Sequence, residues 1–176
     1  MVEERIVAAD PVDNPAEYQR EMVALLGGQD PVDVLGATVA ALHRLTDGVP
    51  AELLDRRPEP EEWSVAEVLG HIWDAEVALS WRARLILAQD TPPLHGYDQV
   101  AFARLARPGF GELLDAFAAM RGPNLVMLRA VPAQSWQRYG VHSERGDVSL
   151  RLLVETSAGH DVAHLRQIEK TLAAVR

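Results

Sequence analysis

The segment SVAEVLGHIWDAEVALSWRARLILA, residues 64–88, predicts one long helix. Ser64 and Glu67 have the spacing of a capping box, in which the serine oxygen accepts from a first-turn amide and the glutamate reaches back. Apolar residues then recur every three or four positions, as expected of a helix that packs against a core. The proline-rich stretch DTPPLHG ends the predicted helix near Gln89.

Three further segments have helical periodicity. Asp30-Pro31 is a start signal, an N-cap followed by proline at the first helical position, and Asp47-Gly48 ends that helix. Gly122-Pro123 falls inside a later helix and predicts a kink or a break there. The predicted long helices cover residues 31–46, 64–89, 110–130 and 149–175, and residues 18–26 form a shorter one.

The connections between the long helices are themselves long. Residues 90–110 read as a loop with one helical turn near residues 99–105, and residues 131–148 as an excursion with turns at Gly140 and Arg145-Gly146. The best strand signal is weak and covers residues 138–141. We therefore predict an all-α fold, a four-helix bundle with long connections. Residues 1–29 form an N-terminal extension and residues 30–176 the domain.

Composition excludes several classes of protein. The chain has 176 residues and a net charge of -9, and its one lysine is Lys170, so it is a poor ligand for the phosphates of nucleic acids. It has no cysteine, so any metal must be held by His, Asp or Glu. It has no apolar run long enough to cross a membrane and no signal peptide, so we expect a cytoplasmic protein.

His160 and His164 lie four residues apart in SAGHDVAHLRQIE, residues 157–169. On a helix they share one face, about 6 Å apart along the axis, and two such imidazoles can bind one ion. They belong to an apolar stripe that also contains Leu153 and Ile168. His71 occupies the same kind of position on the helix of residues 64–88. The sequence therefore predicts that three imidazoles meet inside the bundle.

Other interpretations of these histidines stay open. They pack as core residues if other partners satisfy their nitrogens, since buried polar groups need partners. A peptidase motif of the HExxH type has glutamate where Asp161 stands here, which argues against a peptidase. A ferritin-like di-iron site needs Glu-x-x-His, whereas Glu67 lies four residues before His71.

The remaining polar candidates are assigned from their local context. His43, His95 and His142 are predicted to be surface residues, the last two in polar loops, with the alternative that one of these two lines a pocket. Four acidic residues close to the histidines in sequence are either hydrogen-bond partners of metal ligands or solvated acids of the helix surface. These four are Glu67, Asp74, Glu155 and Asp161. Trp73 and Trp81 flank the His71 stripe and are predicted to pack in the core or a dimer face.

Two segments together resemble the signature stretches of the DinB/YfiT-like superfamily. They are EEWSVAEVLGHIWDAE, residues 61–76, and SAGHDVAHLRQIE, residues 157–169, and their order and separation also match. The resemblance covers about residues 30–175. It implies a four-helix bundle with a divalent metal held by His71, His160 and His164, and often a homodimer. Gln167 matches a frequent glutamine of that family but receives no role.

The resemblance also implies a range of activities. The superfamily includes thiol-dependent enzymes, among them mycothiol-dependent maleylpyruvate isomerase and bacillithiol S-transferases, and proteins described as hydrolases. Three neutral histidines leave a position on the ion, zinc, nickel or iron, open to a ligand. That ligand is either water, in a hydrolase, or a low-molecular-weight thiol, in a transferase or isomerase. No catalytic residue beyond the metal ligands is identified.

Three hypotheses follow for the function. The first is a metal-dependent thiol transferase or hydrolase that acts on a small molecule. The second is a non-catalytic stress protein that binds metal and a small ligand. The third is a structural bundle whose histidines pack without a metal. Neither a nucleic acid nor a membrane is an expected partner.

Overall fold

The computed structural model describes residues 12–176. Its helices are α1 Pro15–Ala24, α2 Pro31–Thr46, α3 Ala51–Leu54, α4 Val65–Ala88, α5 Gln99–Ala103, α6 Phe110–Arg129 and α7 Leu150–Val175. A 3-10 helix covers Ala133–Gln137, and the strands are β1 Pro93–Leu94, β2 Tyr139–His142 and β3 Gly146–Ser149. The predicted long helices are confirmed, and the short α3 is an addition to them.

The four long helices form the bundle. Helix α7 packs against α2 and α4, and α6 packs against the same two helices from the other side. Each long helix therefore has two neighbours, which is the arrangement of a four-helix bundle with one shared core. The connections are long, as predicted, and those on either side of α6 carry the strands. The prediction of an all-α bundle is confirmed, with the small sheet as a minor element.

The helix starts follow from the capping residues in the sequence. Ser64 accepts from the Glu67 amide at 3.2 Å, and Glu67 accepts from the Ser64 amide at 2.9 Å, so the capping box is complete. The Asp30 carboxylate accepts from the Val32 and Asp33 amides. These bonds satisfy first-turn donors that have no partner within the helix.

The predicted break at Gly122-Pro123 does not occur, because α6 continues through both residues. Proline removes one backbone donor and crowds the preceding turn, which disfavours a helix interior. Apolar side chains on both sides of Pro123, among them Phe117 and Leu128, are buried in the core. Tertiary packing of both halves therefore outweighs the local cost of the proline.

A three-stranded sheet lies in the connections. Strand β1 pairs parallel to β2, and β2 pairs antiparallel to β3. The strand predicted near residues 138–141 is thus confirmed, but the predicted turn at Gly140 is wrong because Gly140 lies within β2. A Cβ atom there would lie 2.7 Å from the Pro92 carbonyl oxygen. The glycine is required by close strand packing and not by a turn.

Helix α1 lies against α7, so this part of the predicted extension packs on the bundle. Met22 of α1 is fully buried. A Cβ at Gly159 of α7 would overlap the main chain of Met22, its Cα lying at 2.9 Å. The absence of a side chain at Gly159 lets the two helix backbones touch, directly beside His160. The predicted boundary between extension and domain stays a prediction.

The core has two parts along the bundle axis. One surrounds Leu35, Ile86 and Val154, and the other surrounds Leu69, Ile72 and Phe117. The stripe residues Leu153 and Ile168 of α7 are buried, and so are further apolar residues of α4 and α7 that lie outside the predicted stripes. In residues 12–176, no helix is both long and apolar enough to cross a membrane.

Candidate metal centre

The imidazoles of His71, His160 and His164 meet inside the bundle. Nε2 of His160 lies 2.8 Å from Nε2 of His71 and 3.1 Å from Nε2 of His164. The possible ligand atoms of all three lie within 4.8 Å of one another. Two nitrogens bound to one tetrahedral ion at about 2.0–2.1 Å would be about 3.3 Å apart, so this spacing suits a shared ion. The predicted convergence of the three residues is confirmed.

The helices explain how the three rings come together. His160 and His164 are separated by one turn of α7, and α7 packs along α4, which carries His71. The ring centroids lie 4.2 to 4.8 Å apart. Trp63 packs on His71 with a centroid separation of 5.2 Å. His71 is buried and the other two are partly buried, so bulk water is largely displaced from the rings.

Hydrogen bonds among the three Nε2 atoms cannot satisfy them all. A neutral imidazole nitrogen either donates one proton or accepts with one in-plane lone pair. Nε2 of His160 contacts two other Nε2 atoms, so it can be a proper partner to only one. A cation shared by three lone pairs satisfies all of them. The donor set therefore fits a divalent ion.

Gln167 orients His164. Its Oε1 lies 2.7 Å from Nδ1 of His164. Because the amide oxygen only accepts, Nδ1 must donate, and Nε2 of the neutral ring is left with its lone pair. A hydrogen bond of this kind fixes the tautomer of a metal-binding histidine. Gln167 had no role in the sequence prediction, although its position three residues after His164 on a helix was the available signal.

Burial keeps all three rings neutral. Burial, together with the neighbouring His164 and Arg107, lowers the pKa of His71 to about 3. Burial likewise lowers the pKa of His160 well below its usual value, with His164 and His71 adding to the effect. The pKa of His164 is lowered by burial and partly restored by its bond to Gln167. Neutral imidazoles are the form that binds metals.

A buried ionic cluster lies beside the histidines. Arg121 donates to Asp161 Oδ2 at 2.8 Å and to Glu76 Oε2 at 2.9 Å. Thr38 donates to the same Asp161 oxygen at 2.7 Å, and Asn124 donates to Glu76 at 2.6 Å. The carboxylates and the guanidinium have a formal charge of about one negative unit, which favours a cation nearby.

The acidic residues near the histidines have other partners. Asp161 belongs to the buried cluster just described, and Asp74 accepts from Arg107 at 2.5 Å. Glu67 caps α4 and binds Arg57. Glu155 is partly buried and lies 3.4 Å from Arg151. None of these contacts joins an acid to a histidine of the triad, and Asp74 and Asp161 are not solvated either. Both alternatives for these two residues are therefore wrong.

Of the other histidines, two lie where the sequence predicted. His43 and His95 are exposed. His142 is not a surface residue, because it is 3% exposed and belongs to β2. Along that strand Gly140 and His142 face the interior while Val141 is exposed. Side chains alternate between the two faces of a strand, so His142 lies on the same face as Gly140 and points inward. The assignment to a polar loop missed this alternation.

A cavity of about 550 Å³ reaches the triad at His160. Its walls come mainly from α1, α4 and α7 and from the connections that carry β1 and β2. Its lining includes the polar side chains of Tyr18, Arg82, His142, Arg145 and Thr156. This volume lies within the range of sites for small molecules. No pattern in the sequence indicates that α1 contributes to this cavity.

Comparison with known proteins identifies the family. A model of the DinB superfamily matches residues 35–168, which include all three histidines. The chain belongs to the DinB superfamily. The resemblance drawn from residues 61–76 and 157–169 is thereby confirmed.

One relative of this DinB superfamily chain was found both by sequence and by structure. YfiT of Bacillus subtilis (strain 168) carries the provisional name of a metal-dependent hydrolase. Its sequence is 21% identical to this chain over 151 residues, which make up 80% of this chain and 83% of YfiT. The solved structure of YfiT, described as a probable metal-dependent hydrolase with an unusual four-helix bundle topology, matches with a TM-score of 0.74. Identity and coverage are the same in that comparison. At this identity the structural likeness supports the fold.

Proposed function

We propose that this protein is a metal-dependent hydrolase that acts on a small molecule and holds a divalent ion on Nε2 of His71, His160 and His164. The observation that carries the proposal is the convergence of three Nε2 atoms that hydrogen bonds cannot jointly satisfy. The description of YfiT as a probable metal-dependent hydrolase supports the same conclusion. Zinc, nickel and iron all suit an imidazole donor set.

The chemistry follows from the donor set. His71, His160 and His164 would hold the ion, which would supply Lewis-acid chemistry and make water acidic enough to hydrolyse an ester or amide near neutral pH. The protein's own residues prepare this site. Gln167 sets the tautomer of His164, and Trp63 covers His71. The cavity meets the triad at His160, so a substrate would approach from that side.

The metal site is tested by analysis of the metal content of purified protein. We expect close to one divalent ion per chain in the natural protein and a large loss in His160→Ala. The matched control is His95→Ala, because His95 is exposed and lies outside the triad. Equal metal content in His160→Ala and the natural protein, with both folded by circular dichroism, would refute the assignment.

Turnover is tested with a panel of small esters and amides, with and without chelator. A hydrolase predicts product formation that chelator abolishes and added zinc, nickel or iron restores. Metal binding without any chelator-sensitive turnover supports the alternative, a non-catalytic protein that binds metal and a small ligand. The two outcomes exclude each other for the compounds tested.

A low-molecular-weight thiol is the second candidate for the ligand of the ion. The observation that favours it is the lack of cysteine in the chain, since a thiolate would have to come from a separate molecule. A thiol also ionises more readily than water. Adding a thiol panel with a reactive electrophile to the same assay tests this, and a chelator-sensitive thioether product would favour transferase over hydrolase chemistry.

Two expectations from the sequence analysis stay predictions. One is a homodimer, which light scattering on the eluate of a sizing column tests directly. The other is a cytoplasmic location, which fractionation of the source cells tests. Neither enters the argument for the metal site.

A further inference from the structure

Three buried side-chain polar atoms lack a hydrogen-bond partner in residues 12–176, and all three belong to residues that line the cavity beside His160. They are Nε2 of His142, Nε of Arg145 and Oγ1 of Thr156. Buried polar atoms without partners are rare and cost free energy, so a group of them around one cavity needs an explanation. A ligand that supplies the missing partners is such an explanation.

His142 presents a donor to the cavity. Its Nδ1 accepts from the Glu144 amide at 3.2 Å, which requires Nδ1 to carry the lone pair. The proton of the neutral ring is therefore on Nε2, the atom without a partner. His142 is 3% exposed, so water from bulk solvent hardly reaches it. The ring offers one N–H to a ligand.

Thr156 offers a second donor close to the triad. It lies on α7 four residues before His160, which is about 6 Å along the helix axis. Threonine in a helix often bonds to the carbonyl one turn earlier, but its hydroxyl has no partner here. The side chain is 7% exposed. Its hydroxyl is thus free to bond to a ligand that also reaches His160.

Two arginines make this part of the cavity positive. Arg82 is 8% exposed and donates to the His95 carbonyl at 2.5 Å, and Arg145 stacks on Tyr18 at 5.7 Å. Within residues 12–176, neither guanidinium forms an ion pair with a carboxylate. Burial lowers the pKa of Arg82, and the nearby Arg145 lowers it further, while Tyr97 and Glu144 oppose this in part. Two guanidiniums that repel each other favour an anion between them.

The carboxylates of the cavity do not fill this role. Glu76 and Asp161 are held by Arg121 in the buried cluster. Asp98 is exposed and accepts from the Ala101 amide. Glu144 is exposed and its charge raises the pKa of Arg82, but within residues 12–176 it forms no ion pair with Arg82 or Arg145. The unsatisfied donors thus have no carboxylate of the described chain as a partner.

We propose that Arg82, His142, Arg145 and Thr156 form a subsite for an anionic oxygen group of the substrate, a carboxylate or a phosphate. Two or more N–H or O–H donors and adjacent guanidiniums are the usual means of binding such a group. Because Thr156 lies only about 6 Å from His160 along α7, the substrate would be short. Its anionic group would lie a few bonds from the ester or amide that is cleaved. The identification as a substrate group rests on the proposed hydrolase function, whereas anion binding itself does not.

Binding of glutarate tests the subsite, with the neutral glutaramide as the matched probe and inorganic phosphate as the second anion. Calorimetry is done on the protein as purified and again after chelation, since a carboxylate also binds metals directly. We expect glutarate or phosphate to bind at least about tenfold more tightly than glutaramide in both preparations. The stronger of the two anions indicates which group the substrate carries.

Two variants localise the binding. Arg145→Met should weaken anion binding about tenfold or more. Thr156→Val should also weaken anion binding. Because Thr156→Val removes an unsatisfied buried hydroxyl, the ligand-free variant should be at least as stable as the natural protein. The control is Arg44→Met, an exposed arginine of α2. Binding in the two variants that equals that of the control would overturn the proposal. If neither glutarate nor phosphate binds the natural protein more tightly than glutaramide does, the proposal is overturned as well.

The metal content of the same preparations separates this inference from the proposed function. Anion selectivity in a protein that, before chelation, holds no metal dependent on His160 would support the subsite and refute the metal-dependent hydrolase. A metal lost in His160→Ala together with no anion selectivity would support the metal site and overturn the subsite. With turnover, a glutaryl ester should have a lower KM than the pentanoyl ester, and Arg145→Met should remove that difference.

Discussion

Acidification should destabilise the metal-free protein by a predictable amount. Burial places the pKa of His71 near 3 and that of His142 near 4 in the folded state. The usual pKa of an unfolded histidine is about 6.5. The unfolded state therefore takes up protons first as the pH falls, and the free energy of unfolding decreases between the two values. The effect is absent above the unfolded pKa and complete below the folded one.

The magnitude follows from this linkage. Between about pH 7 and pH 5.5, each histidine that stays neutral when folded costs about 1.3 kcal/mol of stability. His71, His142 and His160 are all in this class, so the chelated protein should lose about 4 kcal/mol. That is a large part of the roughly 5–15 kcal/mol that stabilises a typical domain. Bound metal should reduce the loss, because it competes with protons for His71 and His160.

Urea unfolding at a series of pH values measures this dependence. His142 is the residue to change, because it lies outside the triad. His142→Gln should remove about 1.3 kcal/mol of the loss between about pH 7 and 5.5, and His95→Gln, an exposed histidine, is the control. An unchanged pH dependence in His142→Gln would mean that burial does not keep this ring neutral. A total loss below about 1 kcal/mol would refute the same reasoning for the triad.

Three further substitutions test the packing and the site. Gly159→Ala should lower the free energy of unfolding, measured in urea, by roughly 1–3 kcal/mol because the added Cβ overlaps Met22. Gly122→Ala, the control, has open space around the added Cβ and should raise it by about 0.5–1 kcal/mol. Equal effects of the two substitutions would contradict the close contact of α1 and α7. Gln167→Leu should weaken zinc binding by about 10–100-fold in a competition titration with a chelating dye while the helical circular dichroism is kept. Ser64→Ala should cost about 1 kcal/mol of stability by loss of the N-cap, and a cost near zero would mean that water replaces the serine.

The helices were predictable because their signals are local. The capping box at Ser64, the Asp30-Pro31 start and the apolar periodicity each depend on residues a few positions apart. The break at Pro123 was wrongly predicted because the local cost of the proline is offset by contacts with residues far away in the chain, whereas the kink stays a prediction. Gly140 was misjudged for the same reason, since a strand of the other connection packs against it.

The triad was predictable because two helical stripes with buried histidines leave few ways to pack. The partners of the acids were not, because Arg121 and Arg107 lie 40 and 33 residues from the carboxylates that they bind. No local pattern reports such a distance. The resemblance helped with the histidines, whose flanking residues carry the family signature, but it contains no information about the arginines of this particular chain.

The spacing on α7 links the metal site to the proposed subsite. Thr156, His160 and His164 follow one another at intervals of one helical turn on the same face. A substrate that lies along this face can therefore place its anionic group at Thr156 and its reacting bond at His160, with no movement of the helix. Helix α1 completes the cavity because Gly159, between these residues, allows Met22 to approach. Helix α7 thus positions two of the metal ligands and would also set the length of the substrate, because the rise of this one helix fixes the distances between Thr156, His160 and His164.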